Sequence, residues 1–312
     1  MGALDFFRRP KIHARRAVPS GVELFDDEFQ RRLETLAIVS RRVFAGRSRA
    51  ERRSSKKGSG VEFADHKSYV AGDDFRFIDW NLYQRFGRLL IRLYEEEEDL
   101  SIYFLLDCSA SMAFSRSPKF DQAKRLCAAL AYVGLANLDR VTLLGVSQSV
   151  TLRLPPTRGK NRIFKVFEFL QRLEAQGATN LRDAANSFVA QHKRRGLVVV
   201  VSDFYDPAGF EAGLNTLRYN KFEPYVLHVV DPREAHPDLR GDVRVYDCET
   251  GEERDVTITD ALLGRVAHAY EQYAQELEHF CTKSHIPYFR AGTNQPFDEL
   301  VLRVFRRGGF LR

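Results

Sequence analysis

The plan of the chain is set by short apolar runs. Stretches 101–107 and 197–202 (Ser-Ile-Tyr-Phe-Leu-Leu-Asp and Leu-Val-Val-Val-Val-Ser) are apolar without polar alternation and too short for helices. Such runs read as strands covered on both faces of a sheet. Stretches 141–146, 224–230 and 286–290 read as further strands, and 149–154 as a short antiparallel edge strand beside 141–146. Helical patterns lie between them at 119–138, 161–174, 181–195 and 210–219. A long helix is predicted over 260–282, with Leu263, Val266, Ala267, Tyr270, Tyr273, Ala274, Leu277 and Phe280 on its buried stripe. A last helix is predicted over 296–306, and 243–246 with 254–258 bracket a hairpin around Glu249-Thr250-Gly251-Glu252. Alternating strand and helix predicts an α/β fold: a doubly wound, mostly parallel sheet with strand 101–107 at its centre.

The first hundred residues follow a different pattern. Residues 1–21 read as disordered or loosely attached. From 24 to 44, Leu24, Phe29, Leu33, Leu36, Ile38, Val39 and Val43 fit one face of an amphipathic helix. Residues 61–100 repeat no simple period. Gly72-Asp73-Asp74 reads as a turn, 74–84 as a short helix carrying Phe75, Ile78 and Leu82, and 89–94 as a strand. The division expected is therefore a loose 1–21, an N-terminal extension over 22–100 and an α/β domain over 101–312. Asp65, His66, Asp73, Asp74 and Asp79 invite an acid–base or second-metal reading. The plainer reading is preferred: Arg76, Arg85 and Arg88 pair with these acids, while Tyr69 and Trp80 pack the segment down.

Charge is uneven. The chain carries 48 Lys and Arg against 42 Asp and Glu. Residues 1–60 hold 15 basic against 7 acidic residues, and the rest is slightly acidic. The excess is densest over 41–57, with eight basic residues opposed only by Glu51. This tract reads as a mobile basic loop within 41–60. Nucleic acid or an anionic membrane could use it, although a solvated loop or one docked on an acidic partner is the preferred reading. No apolar run reaches the length of a membrane span, and the first twenty residues show no apolar signal-peptide core. Cys108, Cys127, Cys248 and Cys281 show no metal or redox spacing, which fits reduced, mostly buried thiols and a cytoplasmic setting.

The candidate chemistry sits where strands end. Strand 101–107 delivers Asp107, Ser109 and Ser111 in D-x-S-x-S spacing. One carboxylate and two hydroxyls on a tight loop suit a hard divalent cation, Mg2+ ahead of Mn2+ or Ca2+. Thr179, in the loop Gly177-Ala178-Thr179-Asn180, and Asp203, after strand 197–202, would complete a five-residue oxygen site. Taken singly, each could be a turn or helix-capping residue.

These three pieces in this order resemble the metal-ion-dependent adhesion site of von Willebrand factor A domains. The upstream segment 63–80, with Tyr69, Gly72, Asp73, Asp74, Arg76, Asp79 and Trp80, and the run 92–99 narrow the likeness. They resemble bacterial proteins of domain-of-unknown-function family 58, over about residues 20–230. The chain departs at Lys67, where Arg is common, and at Ala71, where Pro is common. The resemblance implies a von Willebrand factor A-like domain over 101–312 and, as partner, a MoxR-type AAA+ ATPase that this chain would serve as adaptor in a chaperone-like assembly.

Other chemistries lack their residues. There is no G-x-x-x-x-G-K-[ST] and no H-E-x-x-H, and Gly145-Val-Ser147-Gln-Ser149 lacks the second Gly of a nucleophile elbow. Two carboxylates and three hydroxyls would neutralise a metal poorly and suit capture of an incoming carboxylate better than making hydroxide. The expectation is a binding module rather than an enzyme. A metal-dependent phosphoesterase and nucleic-acid binding through the basic tract are the alternatives.

Overall fold

The structure is a computed structural model that describes residues 24–51, 57–58, 62–95, 100–113 and 119–307. The predicted loose segment 1–21 lies outside the described residues. The described residues form two compact units, one drawn from 24–40 and 100–307, the other from within 41–99. The helical stretch 24–40 thus groups with the α/β unit rather than with the rest of the expected 22–100 extension.

Helix α1 (Asp27–Glu51) starts where Asp26 accepts the Phe29 amide at 2.7 Å. It carries through 41–51, eleven of the seventeen residues of the tract predicted as a mobile loop. That expectation is corrected: Arg, Ala and Glu are strong helix formers, and a charge run does not by itself end a helix. Residues 52–56 lie outside the described ones.

Within the 41–99 unit, β1 (Lys57–Gly58) and β2 (Glu62–Ser68) pair antiparallel with the two sides of β3 (Leu90–Glu95). Strand β2 was invisible to periodicity because Asp65, His66 and Lys67 follow one another without alternation. The single helix predicted over 74–84 is split. Asp74 accepts the Arg76 amide and opens a 3₁₀ turn, Phe75–Phe77; Ile78 is extended and bridges Ile91; Asp79 then caps α2 (Trp80–Phe86). Two capping aspartates in series start two short elements rather than one long helix.

The larger unit holds a six-stranded sheet in the order β11-β8-β7-β4-β5-β6. These are β4 (Ser101–Asp107), β5 (Arg140–Val146), β6 (Val150–Thr157), β7 (Leu197–Ser202), β8 (Glu223–Val230) and β11 (Tyr288–Gly292). All pairings are parallel except β5 with β6, whose Pro155 and Pro156 suit an edge. Strand β4 is central, between β5 and β7, and every residue in it is buried.

Its two faces meet different layers. Tyr103 and Leu105 enter a core with Phe188 of α5 (Leu181–Gln191), Leu214 and Leu217 of α6 (Glu211–Tyr219) and Leu277 of α8 (Asp260–Lys283). The opposite face is covered by α3 (Lys119–Ala136), which is buried almost all round because it lies under two further helices, α4 (Ile163–Arg172) and α9 (Phe297–Arg307). Phe25 stacks on Phe167 at 4.6 Å, and Phe29 meets Phe297 at 4.5 Å, which ties the start of α1 to this layer. The predicted hairpin is present as a separate two-stranded sheet, β9 (Gly241–Tyr246) with β10 (Glu253–Ile258), after the short helix α7 (Pro232–Ala235).

Candidate metal centre at the carboxyl end of the sheet

From β4 the chain first adds β5 on one side and later β7 on the other, so the strand order reverses between β4 and β7. Open α/β sheets bind ligands in the crevice at such a reversal, outside the carboxyl ends of the strands. Asp107 ends β4 and Asp203 follows the last residue of β7, so the two carboxylates flank that crevice.

Hydrogen bonds join four of the five predicted residues. Asp107 accepts the Ser109 amide at 2.8 Å on one oxygen and the Ser202 hydroxyl at 2.5 Å on the other. The Ser109 and Ser111 hydroxyl oxygens lie 2.7 Å apart, and Ser111 donates to Asp203 at 3.4 Å. All are buried. Just after Asp203 the backbone is forced: buried Phe204 has φ 59°, a left-handed conformation that costs an L-residue about 1–2 kcal/mol. It is held by its amide donating to Ser202 Oγ and by the Tyr273 hydroxyl donating to its carbonyl.

Thr179 stands on the same rim with a different partner. Its loop is sewn to the β4 loop by the Ala110 amide on Gly177 O and the Gln176 amide on Cys108 O. Gly177 takes φ 84°, which a side chain would strain. The Leu181 amide donates to Asp206 and so fixes the loop to the segment after β7. The Thr179 hydroxyl, however, donates to Glu249 Oε1 at 3.3 Å rather than joining the Asp and Ser chain.

Three groups here were not anticipated. Lys119, the first residue of α3, is fully buried and holds Asp203 at 2.6 Å and Glu234 of α7 at 2.5 Å. A cation at a helix start opposes the helix dipole, the one sequence-level hint that this lysine has acidic partners. Burial opposes its charge, but the two carboxylates outweigh it and hold the ammonium above its ordinary pKa. Ser202 was hidden as the last residue of an apolar strand. Glu234 was hidden by distance along the chain; its Oε2 is buried without a hydrogen-bond partner, and burial pushes its carboxyl upward.

Electrostatically the crevice holds more acid than base. Burial, and then the charge of Asp203, push the Asp107 carboxyl well above the usual range. Lys119 is the cation that faces these acids. Three carboxylates against one ammonium leave room for a divalent ion, and the donors that converge are all oxygen, as a hard cation requires. No group of three or more His, Cys, Asp and Glu side chains placed to hold a metal ion by themselves occurs among the described residues, so hydroxyl oxygens would have to complete the set. On charge and donor type the residues fit Mg2+.

The acids of the 41–99 unit are disposed otherwise. Asp79 accepts from Arg92 at 2.8 Å, lies 3.3 Å from His66 Nε2, and caps α2 through the Asn81 and Leu82 amides. Asp73 pairs with Lys67 and Asp74 with Arg76. The expected pairing of the acids is present, but Lys67 and Arg92 supply it alongside Arg76, in place of Arg85 and Arg88. Trp80, predicted to pack, is 57% exposed.

Residues 65–278 match the family described as "Protein of unknown function DUF58". The chain belongs to that family. Among its relatives, the uncharacterized protein Rv1480 of Mycobacterium tuberculosis is 25% identical over 253 residues, 79% of each chain. The uncharacterized protein MAV169 of Mycobacterium avium is 34% identical over 91 residues, 29% of this chain and 53% of that one. Solved structures with a similar chain course include the conserved hypothetical protein BatB from Bacteroides thetaiotaomicron, at 14% identity and TM-score 0.41 over 66% of this chain and 98% of that one. Another is an aerotolerance-related membrane protein from Bacteroides fragilis, at 16% identity and TM-score 0.40 over 66% and 97%. In the DUF58 protein described here, no helix among the described residues is long and apolar enough to cross a membrane.

Proposed function

We propose that this DUF58 protein is a metal-dependent protein-binding module of the von Willebrand factor A kind, not an enzyme. Mg2+ would be held by Asp107, Ser109 and Ser111, with Thr179 and Asp203 completing the set directly or through water. The observation that carries the reading is the buried chain of hydrogen bonds linking Asp107, Ser109, Ser111 and Asp203 across the reversal between β4 and β7. Asp203 already spends one oxygen on Lys119, so the ion's charge would be met mainly by Asp107. An under-neutralised ion with an exchangeable water favours an incoming carboxylate. The partner would therefore present an Asp or Glu. The proposed partner is a MoxR-type AAA+ ATPase that does mechanical work while this chain acts as its adaptor.

The test is titration of a purified MoxR-type ATPase against this protein in Mg2+, in EDTA, and with Asp107→Ala in Mg2+. Binding is expected to fall at least about a hundredfold in the last two, because the variant removes the main charge facing the ion. Ser109→Ala should weaken it less. Equal affinity in all three arms removes the metal bridge.

A further inference from the structure

The hairpin β9–β10 brings an acid of this chain to the rim where an outside acid is proposed to dock. Its tip is a built turn. Buried Asp247 accepts the amides of Glu249 at 2.8 Å and Thr250 at 3.0 Å, its own amide donates to Glu252 O, and the Gly251 amide returns to Asp247 O. Gly251 closes the turn at φ 72°. These bonds fix the backbone at Glu249, whose half-buried side chain meets the hydroxyl of Thr179. Thr250 and Glu252, on the same tip, are exposed.

Thr179 is one of the predicted ligands of the ion, and its hydroxyl and Glu249 Oε1 stand 3.3 Å apart, so an own-chain carboxylate already reaches the predicted ligand set. Two oxygens on adjacent corners of an octahedron with bonds of about 2.1 Å lie roughly 3.0 Å apart, a spacing close to that of this pair.

We propose that Glu249 is an own-chain carboxylate ligand of this metal face and stands where the partner's acid would bind. The inference rests on the metal reading above and adds a built-in competitor to it. A partner must displace the hairpin tip, and its apparent affinity is reduced by the fraction of molecules in which the tip is away. Because β9 and β10 pair only with each other among the described residues, the tip can move without breaking the central sheet.

The experiment uses the full chain, stripped with EDTA and loaded with Mn2+ alone, read by water-proton relaxation. Wild type, Glu249→Gln, Glu252→Gln and Asp107→Ala are compared. Glu249→Gln is expected to bind Mn2+ about tenfold or more weakly than wild type, because a charged ligand is lost, so both are compared fully loaded. Bound Mn2+ in Glu249→Gln should relax water more strongly, by roughly half or more, because one ligand position passes to exchangeable water. Added acetate should reverse that gain. Glu252→Gln should behave as wild type, and Asp107→Ala should lose binding. Equal relaxation in loaded wild type and Glu249→Gln overturns the inference while leaving the metal reading intact. So does weaker Mn2+ binding at unchanged relaxation, which would make Glu249 only an acceptor that orients Thr179. An equal gain in Glu252→Gln reduces the effect to tip charge and also overturns it. No Mn2+ binding by wild type, or undiminished binding by Asp107→Ala, overturns the metal reading and this inference with it.

Discussion

Asp107 and Asp79 are both buried aspartates that accept a backbone amide two residues ahead, yet their surroundings push them in opposite directions. Asp79 has Arg92 against it, and that bond, despite burial, draws its carboxyl well below the ordinary range. Asp107 has hydroxyls, an amide and a second carboxylate, and burial drives its carboxyl upward. One acid has a cation against it; the other has a second carboxylate nearby instead. The difference lies in the depth of burial and in the third partner, not in residue type. Clusters of acids therefore sort into structural and ligand-binding classes only after their cations are counted.

Lys119 is the strongest way to break this contrast, because it supplies the cation inside the candidate site. Lys119→Met leaves Asp203 and Glu234 buried without their ammonium. Removing one partner of a buried pair costs about 3–5 kcal/mol, and denaturant unfolding in EDTA should show a loss of that size. Excess Mg2+ should recover part of it in the variant, since a divalent ion restores positive charge beside Asp203. A variant as stable as wild type would mean that these acids fold neutral, and the charge argument for the site would fall.

The pH dependence sharpens the contrast, because the two aspartates carry opposite signs. Asp79 has a folded pKa below its unfolded value near 4, so its contribution is present above that value and is lost as pH falls through the lower one. Asp107 has a folded pKa above its unfolded value, so without metal it weakens the fold progressively as pH rises past about 4. Hydrogen exchange in EDTA should separate them. Asp79→Ala should loosen β2 and β3 at pH 7 and still do so at pH 3, the difference closing only as pH falls on through the lower folded value. Asp107→Asn should leave β4 as protected as wild type at pH 4 and better protected at pH 8. Weaker protection of β4 in Asp107→Asn at pH 8 would show that Asp107 is held charged by its hydrogen bonds, as Asp79 is by Arg92.

How far the chain could be read in advance follows from where each constraint acts. Strands β4 and β7 were legible because both faces are buried, which forces unbroken apolar runs such as Val198 to Val201. Asp107, Ser109, Ser111 and Asp203 were legible because they sit at the ends of those runs. Thr179 was legible as a loop residue, but its partner lies 70 residues on, and nothing in a local pattern links them. Lys119 was missed for a related reason: its partners, Asp203 and Glu234, are brought near only by the sheet. The grouping of 24–40 with the larger unit depends on Phe25 and Phe29 meeting Phe167 and Phe297, contacts that an amphipathic stripe implies without naming. The two short elements at 75–86 reflect serial capping by Asp74 and Asp79, which a search for one long period passes over.

The smallest expected effect tests the other side of the contrast, the acids that need nothing more. Had Trp80 been packed, its truncation would cost about 3–5 kcal/mol. Its ring is instead 57% exposed, meeting Tyr83 edge-on at 6.2 Å on the same short helix. That helix is started by Asp79, not by the Trp80 side chain, since Asp79 supplies the oxygen for the Asn81 and Leu82 amides. Trp80→Ala should therefore change unfolding free energy by no more than about 0.5 kcal/mol, as surface substitutions do. It should also leave the Asp79, Arg92 and His66 contacts intact, which hydrogen exchange of the α2 amides can verify. A loss of several kcal/mol would show that the indole is covered in solution and that the 41–99 unit is held by more than its aspartates.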